Sequence, residues 1–147
     1  MNVEQELSSH GWTHLPNSQF VRYDKATDAV DAGYPKTTAS NWGNWPSTWT
    51  GVDAAVRWPT GAIYLFRGSQ DARISSGVTI DAGYPKPIAG NWPGLSFTSN
   101  IDQVIMWGTG HAYFFKGNDY VGYSVAADAQ EAGYPVKIVG AWPGVAF

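Results

Sequence analysis

The stretch Asp81-Ala82-Gly83-Tyr84-Pro85 decides the fold, because it occurs three times at a fixed spacing of 50 residues. A tryptophan follows each occurrence at the same distance. A repeat of this length is typical of propeller blades and other arrays. We therefore divide the single domain into three copies of one unit, residues 1–51, 52–100 and 101–147. The other occurrences are Asp31-Ala32-Gly33-Tyr34-Pro35 and Glu131-Ala132-Gly133-Tyr134-Pro135, and the tryptophans are Trp42, Trp92 and Trp142.

The second and third copies each contain an apolar hairpin pattern. In the second copy, residues 52–58 and 62–68 are β-prone runs separated by Pro59-Thr60-Gly61, and residues 101–117 repeat the pattern. Such runs around a glycine-containing turn predict a hairpin. A third strand is predicted at 71–75 and at 120–124. We expect the first strand to be buried on both faces because it is almost wholly apolar, and later strands to become more polar toward an exposed edge.

The segment after the third strand is predicted to be a connector held onto the blade. Gly83 is expected to adopt a positive φ, and Pro85 restricts the next φ. Residues 86–90 are interpreted as a loop that contains either a fourth outer strand or one helical turn. Trp92 and Trp142 are expected to pin the connector onto the blade as core residues.

The first copy is incomplete at the level of sequence. Residues 18–24 match the third strand, but residues 2–16 lack the apolar hairpin. Terminal repeats are often atypical because they cap an array.

Composition narrows the classes of function. The 147 residues carry a net charge of −3, which argues against nucleic-acid binding. The chain has no cysteine, which excludes disulfides, thiol catalysis and zinc–thiolate sites. Residues 1–7 show no signal peptide, so we expect a cytoplasmic protein. The longest apolar runs fall short of about 18 residues, so we expect no membrane span.

These motifs together resemble the hemopexin-like repeat. The resemblance rests on Val52-Asp53-Ala54, on Tyr113-Phe114-Phe115-Lys116-Gly117 and on the recurring Gly-Tyr-Pro and Trp-Pro-Gly elements. It covers residues 52–147 well and 18–51 in part. Without cysteine or a visible signal peptide, the chain looks more like the photopexin-like microbial proteins and plant seed albumins of this family. It implies an all-β fold of four-stranded blades around a central channel, closed here without a disulfide.

A complete propeller of that family has four blades, whereas this chain has about three, the first one degraded. Two chains could assemble into a larger ring, the N-terminal half-blade could complete another chain's blade, or the domain could stay open against a different subunit. Further copies on a longer chain are also compatible with the sequence. We favour a homo-oligomer, and a dimer in particular, since twofold closure is the commonest arrangement.

The resemblance also implies a cation in the channel. In the family, an aspartate that begins the innermost strand and the residue two positions later point carbonyl oxygens into the channel. The matching residues are Asp53 with Ala55 and Asp102 with Val104. A ring of carbonyl oxygens suits Ca²⁺ or Na⁺. The alternative is that these aspartate side chains terminate the strands.

Haem is a second cofactor that the resemblance suggests. Haem requires an axial ligand, usually histidine, and the chain offers His10, His14 and His111. The alternative is that these histidines are exposed or hydrogen-bonded.

Tryptophans present in one copy are the other candidates for ligand contact. Trp45 and Trp49 have no counterpart in the later copies, and together with Trp12 they could form an aromatic surface for a flat apolar ligand, a sugar or a polyamine. The alternative is that they fill the space left by the missing hairpin. The candidate ligand-binding residues are Trp12, Trp45, Trp49, His14 and His111.

The sequence contains no recognisable catalytic motif. We therefore predict a non-enzymatic binding protein for haem, a polyamine or a similar small ligand, or for a protein partner. One alternative is an enzyme that cyclises a natural product in an aromatic cavity. Another is a toxin-associated subunit that recognises a host protein or glycan, which an exposed aromatic patch would favour.

Overall fold

The computed structural model describes residues 19–108 and 110–142, which form short antiparallel strands and three four-residue helical turns. The predicted all-β class is confirmed. The strands are β1 (Gln19–Phe20), β2 (Tyr23–Asp24), β3 (Ala29–Val30), β4 (Lys36–Thr37), β5 (Ala54–Arg57), β6 (Ile63–Arg67), β7 (Gln70–Ile74), β8 (Lys86–Pro87), β9 (Gln103–Trp107), β10 (His111–Lys116), β11 (Asp119–Ser124), β12 (Ala129–Gln130) and β13 (Val136–Lys137), and the helical turns are α1 (Thr38–Asn41), α2 (Ile88–Asn91) and α3 (Ile138–Ala141).

The second copy forms one blade, a four-stranded sheet with the order β5-β6-β7-β8. The register pairs Ala55 with Leu65 and Leu65 with Ala72, so one row of side chains crosses the blade on the same face. The predicted hairpin and third strand are confirmed. The connector contains both of the predicted alternatives, because β8 pairs with the start of β7 and α2 follows it directly.

The third copy repeats this plan, and the described residues of the first copy repeat part of it. In the third copy the order is β12-β11-β10-β9, with β13 also paired to β11. In the first copy the described residues form two small sheets, β1 with β4 and β2 with β3. We call the three units blades 1, 2 and 3 in chain order.

The repeated turn has the same backbone conformation in each blade. Gly83 has φ +84°, and its two counterparts have φ +85° and +90°, which confirms the positive φ predicted for this position. The Tyr84–Pro85 peptide bond is cis, as is the corresponding bond in blades 1 and 3.

The core lies between blades. Each blade has a forward face, directed toward the next blade in the chain, and a rear face, directed toward the preceding one. Trp42 and Trp92 are each 5% exposed on the forward faces of blades 1 and 2, which confirms the core role predicted for Trp92, whereas Trp142 of blade 3 is only partly buried. The cluster between blades 1 and 2 includes Phe20, Trp42, Trp49, Ile63, Leu65 and Ile74, and the cluster between blades 2 and 3 includes Val56, Phe66, Trp92, Phe114, Val121 and Tyr123.

The predicted gradient of burial is wrong for the first and third strands of a blade, although the outermost strands β4, β8 and β13 are at least partly exposed. The first strands are not buried on both faces, since Arg57 is exposed and Trp107 is 59% exposed. The third strands are not the more polar edge, since four consecutive residues of β11 are buried. The physical reason is position in the sheet: β5 and β9 lie at the end of their sheets, whereas the third strands β7 and β11 each have a strand on either side.

Candidate ligand-binding pocket

A pocket of about 620 Å³ opens at one end of blade 3. It lies where the connector from blade 2 enters β9 and where β10 turns into β11. Polar side chains surround one buried aromatic ring. The lining residues are Phe97, Asn100, Asp102, Lys116, Gly117, Asn118, Asp119 and Lys137.

Asp102 ties the start of β9 to the β10–β11 turn. Its backbone amide donates to the carbonyl oxygen of Phe115 at 2.9 Å. Its Oδ2 accepts a hydrogen bond from the amide of Gly117 at 2.6 Å, and Gly117 has φ +56°, which glycine adopts without strain. These two hydrogen bonds of Asp102 therefore fix the β10–β11 turn beside the pocket.

Both lysines of the pocket have acceptors within the protein. Lys116 Nζ donates to the carbonyl oxygen of Ser99 at 2.7 Å. Lys137 Nζ lies 2.9 Å from Oδ1 and 3.1 Å from Oδ2 of Asp119. The Lys137 side chain is 70% exposed, so this ion pair contributes little to stability. Its effect is to balance charge at the mouth of the pocket.

The corresponding end of blade 2 is filled differently. There the indole N–H of Trp49 donates to Oε1 of Gln70 at 3.1 Å, and Arg67 bonds both Asp53 and Thr50, at 2.5 and 2.8 Å. In blade 3 the connector contributes the buried ring of Phe97 to the pocket instead.

Sequence reasoning missed this pocket. The residues that form it lie mainly in turns and connections, which the sequence pattern identifies only as separators between strands. A signal was present in the repeat itself, because the turn Gly117-Asn118-Asp119 carries a charge where Gly68-Ser69-Gln70 carries none.

The aspartates predicted to mark a cation site have engaged side chains. Asp53 Oδ2 accepts from the amide of Gly68 at 2.7 Å, which matches the Asp102–Gly117 contact in blade 3. Their carboxylates therefore hold turns, and only backbone carbonyls remain for a cation. Within residues 19–108 and 110–142, no three histidine, aspartate or glutamate side chains converge on one point. The cation stays a prediction.

The carbonyl of Ala55 has the orientation that such a site needs. The amide of Trp58 donates to the carbonyl oxygen of Ala62 at 2.7 Å, so these residues form a hydrogen-bonded pair. Positions alternate along an antiparallel ladder, which makes Ala55 a position whose carbonyl points away from β6. That edge of β5 has no paired strand among the described residues. Val104 occupies the equivalent position in blade 3.

Trp45 and Trp49 lie in the junction between blades 1 and 2. Trp49 is 4% exposed, and the indole N–H of Trp45 donates to its carbonyl oxygen at 3.1 Å. The rings of Trp42, Trp45 and Trp49 follow one another edge to face at 5.8 Å. The structure thus places both side chains in packing, and a role in ligand contact stays a prediction. Trp12, His10 and His14 lie outside the described residues.

His111 replaces an arginine in a repeated ion pair. In blades 1 and 2 an arginine pairs with the first residue of the repeated turn, as Arg73 does with Asp81 at 2.6 Å. In blade 3 the turn begins with Glu131, and Gly122 stands at the arginine's position. His111 Nδ1 lies 2.6 Å from Glu131 Oε1 instead. The side chain is 52% exposed, and a role in binding haem or another ligand stays a prediction.

The repeat pattern and the blade geometry agree with a comparison against protein-family models. The Hemopexin model matches residues 52–96 and 101–145, more than half of the chain. The chain belongs to the hemopexin family. No curated protein sequence matches it.

Solved structures of several plant proteins are similar to this chain. A plant lectin with two metal-binding sites from Cicer arietinum is 25% identical, with a TM-score of 0.73, over 90% of this chain and 66% of its own. A seed albumin from Lathyrus sativus is 26% identical, with a TM-score of 0.67, over 88% and 63%. A hemopexin-fold protein from cow pea is 22% identical, with a TM-score of 0.68, over 89% and 64%. This hemopexin-family chain therefore spans less than two thirds of the length of these proteins.

In the part of the chain that the structure describes, no helix has the length and apolar character needed to cross a membrane.

Proposed function

We propose that this hemopexin-family chain is a non-enzymatic binding protein whose blade 3 pocket binds a small polyhydroxylated ligand such as a sugar. The observation that carries the proposal is the composition of the pocket. Both hydrogen-bond donors and acceptors line the pocket together with Phe97, and its two lysines already have acceptors within the protein. A neutral ligand with many hydroxyl groups satisfies both kinds of partner.

The same pocket argues against the other small ligands predicted from the sequence. Haem needs an apolar slot and an axial ligand, and the lining contains no histidine. A polyamine needs an excess of negative charge, whereas Lys116 and Lys137 balance Asp102 and Asp119. The Cicer arietinum relative is a lectin, which supports a glycan as the class of ligand.

The enzyme alternative receives less support. It relied on a closed cavity walled by tryptophans, but Trp49 is buried in packing and Trp45 contacts it. The polar pocket at blade 3 contains carboxylates held in a turn and in an ion pair, which suits binding better than acid–base chemistry.

We also propose that a hard cation such as Ca²⁺ or Na⁺ occupies the channel edge of blades 2 and 3. The carbonyl oxygens of Ala55 and Val104 would hold it, with those of Asp53 and Asp102. Oxygen donors of this kind suit such ions. The Cicer arietinum lectin has two metal-binding sites, which supports the proposal. Its role here would be to brace the innermost strands rather than to react.

A glycan array followed by isothermal titration calorimetry tests the sugar proposal. We expect Asn118→Ala and Lys137→Ala to weaken binding of the best glycan about 10-fold or more, because each removes about 1.4 kcal/mol or more of polar contact. Lys25→Ala is the matched control, since Lys25 is an exposed lysine on blade 1 and should leave affinity unchanged. Equal affinity in all variants, or binding of haem or spermine but of no glycan, would refute the proposal.

A further inference from the structure

The forward face of blade 3 carries an uncovered aromatic cluster. Trp107 is 59% exposed, and its ring lies 5.8 Å from that of Trp142 and 6.3 Å from that of Tyr113. Phe115 joins the cluster at 5.9 Å from Trp142. Exposed apolar patches of this kind mark interaction surfaces in soluble proteins.

The same cluster exists on blade 2, where it is covered. Trp58, Tyr64, Phe66 and Trp92 occupy the equivalent positions, with Trp58 and Tyr64 packed 5.2 and 5.0 Å from Trp92. The rear face of blade 3 covers this cluster. The Trp92 ring lies 5.4 Å from Phe114 and 5.5 Å from Tyr123, and Trp92 is only 5% exposed.

The described part of the rear face of blade 1 reproduces some of the residues that provide this cover. Val21 and Tyr23 stand where blade 3 has Val121 and Tyr123. The Tyr23 hydroxyl donates to Asp28 Oδ1 at 2.6 Å, and the Tyr123 hydroxyl donates to Asp128 Oδ1 at 3.0 Å. Both aspartates have a positive φ, 53° and 48°. On blade 1, Val21 is 38% exposed and Val30 is 48% exposed.

A backbone contact also recurs at each covered junction. The amide of Ile80 donates to the carbonyl oxygen of Gly43 at 2.9 Å, and the amide of Gln130 donates to that of Pro93 at 3.2 Å. Val30 is the counterpart of these donors. The amide of Asp31 donates to Arg22, so the adjacent pair Tyr23–Val30 is non-hydrogen-bonded and the Val30 amide points away from β2.

We propose that the forward face of blade 3 binds the rear face of blade 1 of a second copy of this chain. The forward face carries the same aromatic residues as the covered face of blade 2, and the rear face carries two of the residues, Val21 and Tyr23, that match the cover on blade 3. The interface is heterologous, because different surfaces of the two copies meet. This association is independent of whether the blade 3 pocket binds a sugar.

Two variants that each block one face provide the test. Trp107→Asp places a charge on the forward face, and Val30→Asp places one on the rear face. Sedimentation equilibrium should show that the wild-type protein associates with rising concentration, whereas each variant alone stays at the monomer mass of 16.0 kDa. An equimolar mixture of the two variants retains one intact pair of faces, so it should form a one-to-one dimer and nothing larger.

Val139→Asp is the matched control. Val139 is an apolar residue that is 64% exposed, but its counterpart Ala89 stays exposed in the covered junction of blade 2. This variant should therefore associate like the wild type. Val21→Asp is a second rear-face variant, to be used if circular dichroism shows that Val30→Asp is unfolded.

Three outcomes would overturn the proposal. The first is a wild-type monomer at every concentration, which would leave the aromatic face to a different protein or to a further blade. The second is a rear-face variant that still dimerises alone, which would indicate that two forward faces meet symmetrically. The third is a mixture of folded variants that stays monomeric.

Discussion

Asp71 and Asn91 form a hydrogen-bonded pair within blade 2. The side-chain amide of Asn91 donates to both carboxylate oxygens of Asp71, at 3.0 and 2.9 Å, and Asp71 has no exposed surface. Burial raises the pKa of Asp71 to about 6, although the hydrogen bonds from Asn91 and the charge of Lys86 oppose the rise. A carboxylate at this position is charged near neutral pH at a cost to stability.

Asp71 should therefore give the free energy of unfolding a particular dependence on pH. Between pH 4 and 6 the Asp71 carboxylate binds a proton more tightly in the folded state than in the unfolded chain, where its pKa is 3.8. Stability from this group is full below that range and is lost as the pH rises through about 6. We expect Asp71→Asn to raise the free energy of unfolding by about 1–3 kcal/mol at pH 7.5 and by little at pH 4. Urea denaturation at both pH values measures this, and an equal effect at both would contradict it.

Gly122 should be intolerant of a methyl group. A Cβ at this position would lie 2.7 Å from both Oε2 of Glu131 and Cε2 of Tyr134. We expect Gly122→Ala to destabilise the protein by about 1–3 kcal/mol, because neighbouring groups must move apart. Gly110→Ala is the control, since nothing lies within 4 Å of its Cβ. Thermal or urea unfolding measures the stability of both variants. Equal losses of stability would contradict the predicted steric clash at Gly122.

Gly43 should be constrained by a residue of the next blade. Gly43 forms a parallel bridge with Thr79, and a Cβ on Gly43 would lie 2.6 Å from Thr79 Oγ1. We expect Gly43→Ala to cost about 1–3 kcal/mol of stability, and Thr79→Ala to restore much of that loss in the double variant. A double-mutant cycle in urea measures the coupling. Strictly additive effects would mean that the two residues do not meet across the junction.

The local sequence pattern is sufficient to predict the strands of a blade but not which of their faces are buried. The run from Val52 to Gly68 predicted a hairpin correctly, because strand propensity and a glycine turn act over neighbouring residues. The same apolar run was wrongly expected to be buried on both faces. An apolar composition allows a strand to be buried, whereas the position of β5 at the end of its sheet decides how much of its surface is buried.

Repeat comparison also indicated which residues were unusual without showing what they contact. Trp49 was identified as specific to the first connector, and the structure places it in the core beside Gln70. His111 was identified as a candidate ligand, and the structure pairs it with Glu131, 20 residues away. Neither partner was evident from the sequence, because both contacts depend on how the strands are registered.

The sequence by itself determined the repeat, the strands and the turns of each blade, since these follow from spacing, propensity and the conformations open to Gly83 and Pro85. Only the tertiary structure decided which faces are covered and where a ligand has room. The pocket joins residues from 97 to 137, which strand pairing such as that of Asp119 with Lys137 brings together. The aromatic cluster at Trp107 has the same composition as the one at Trp92, and it differs only because no blade among the described residues packs on it.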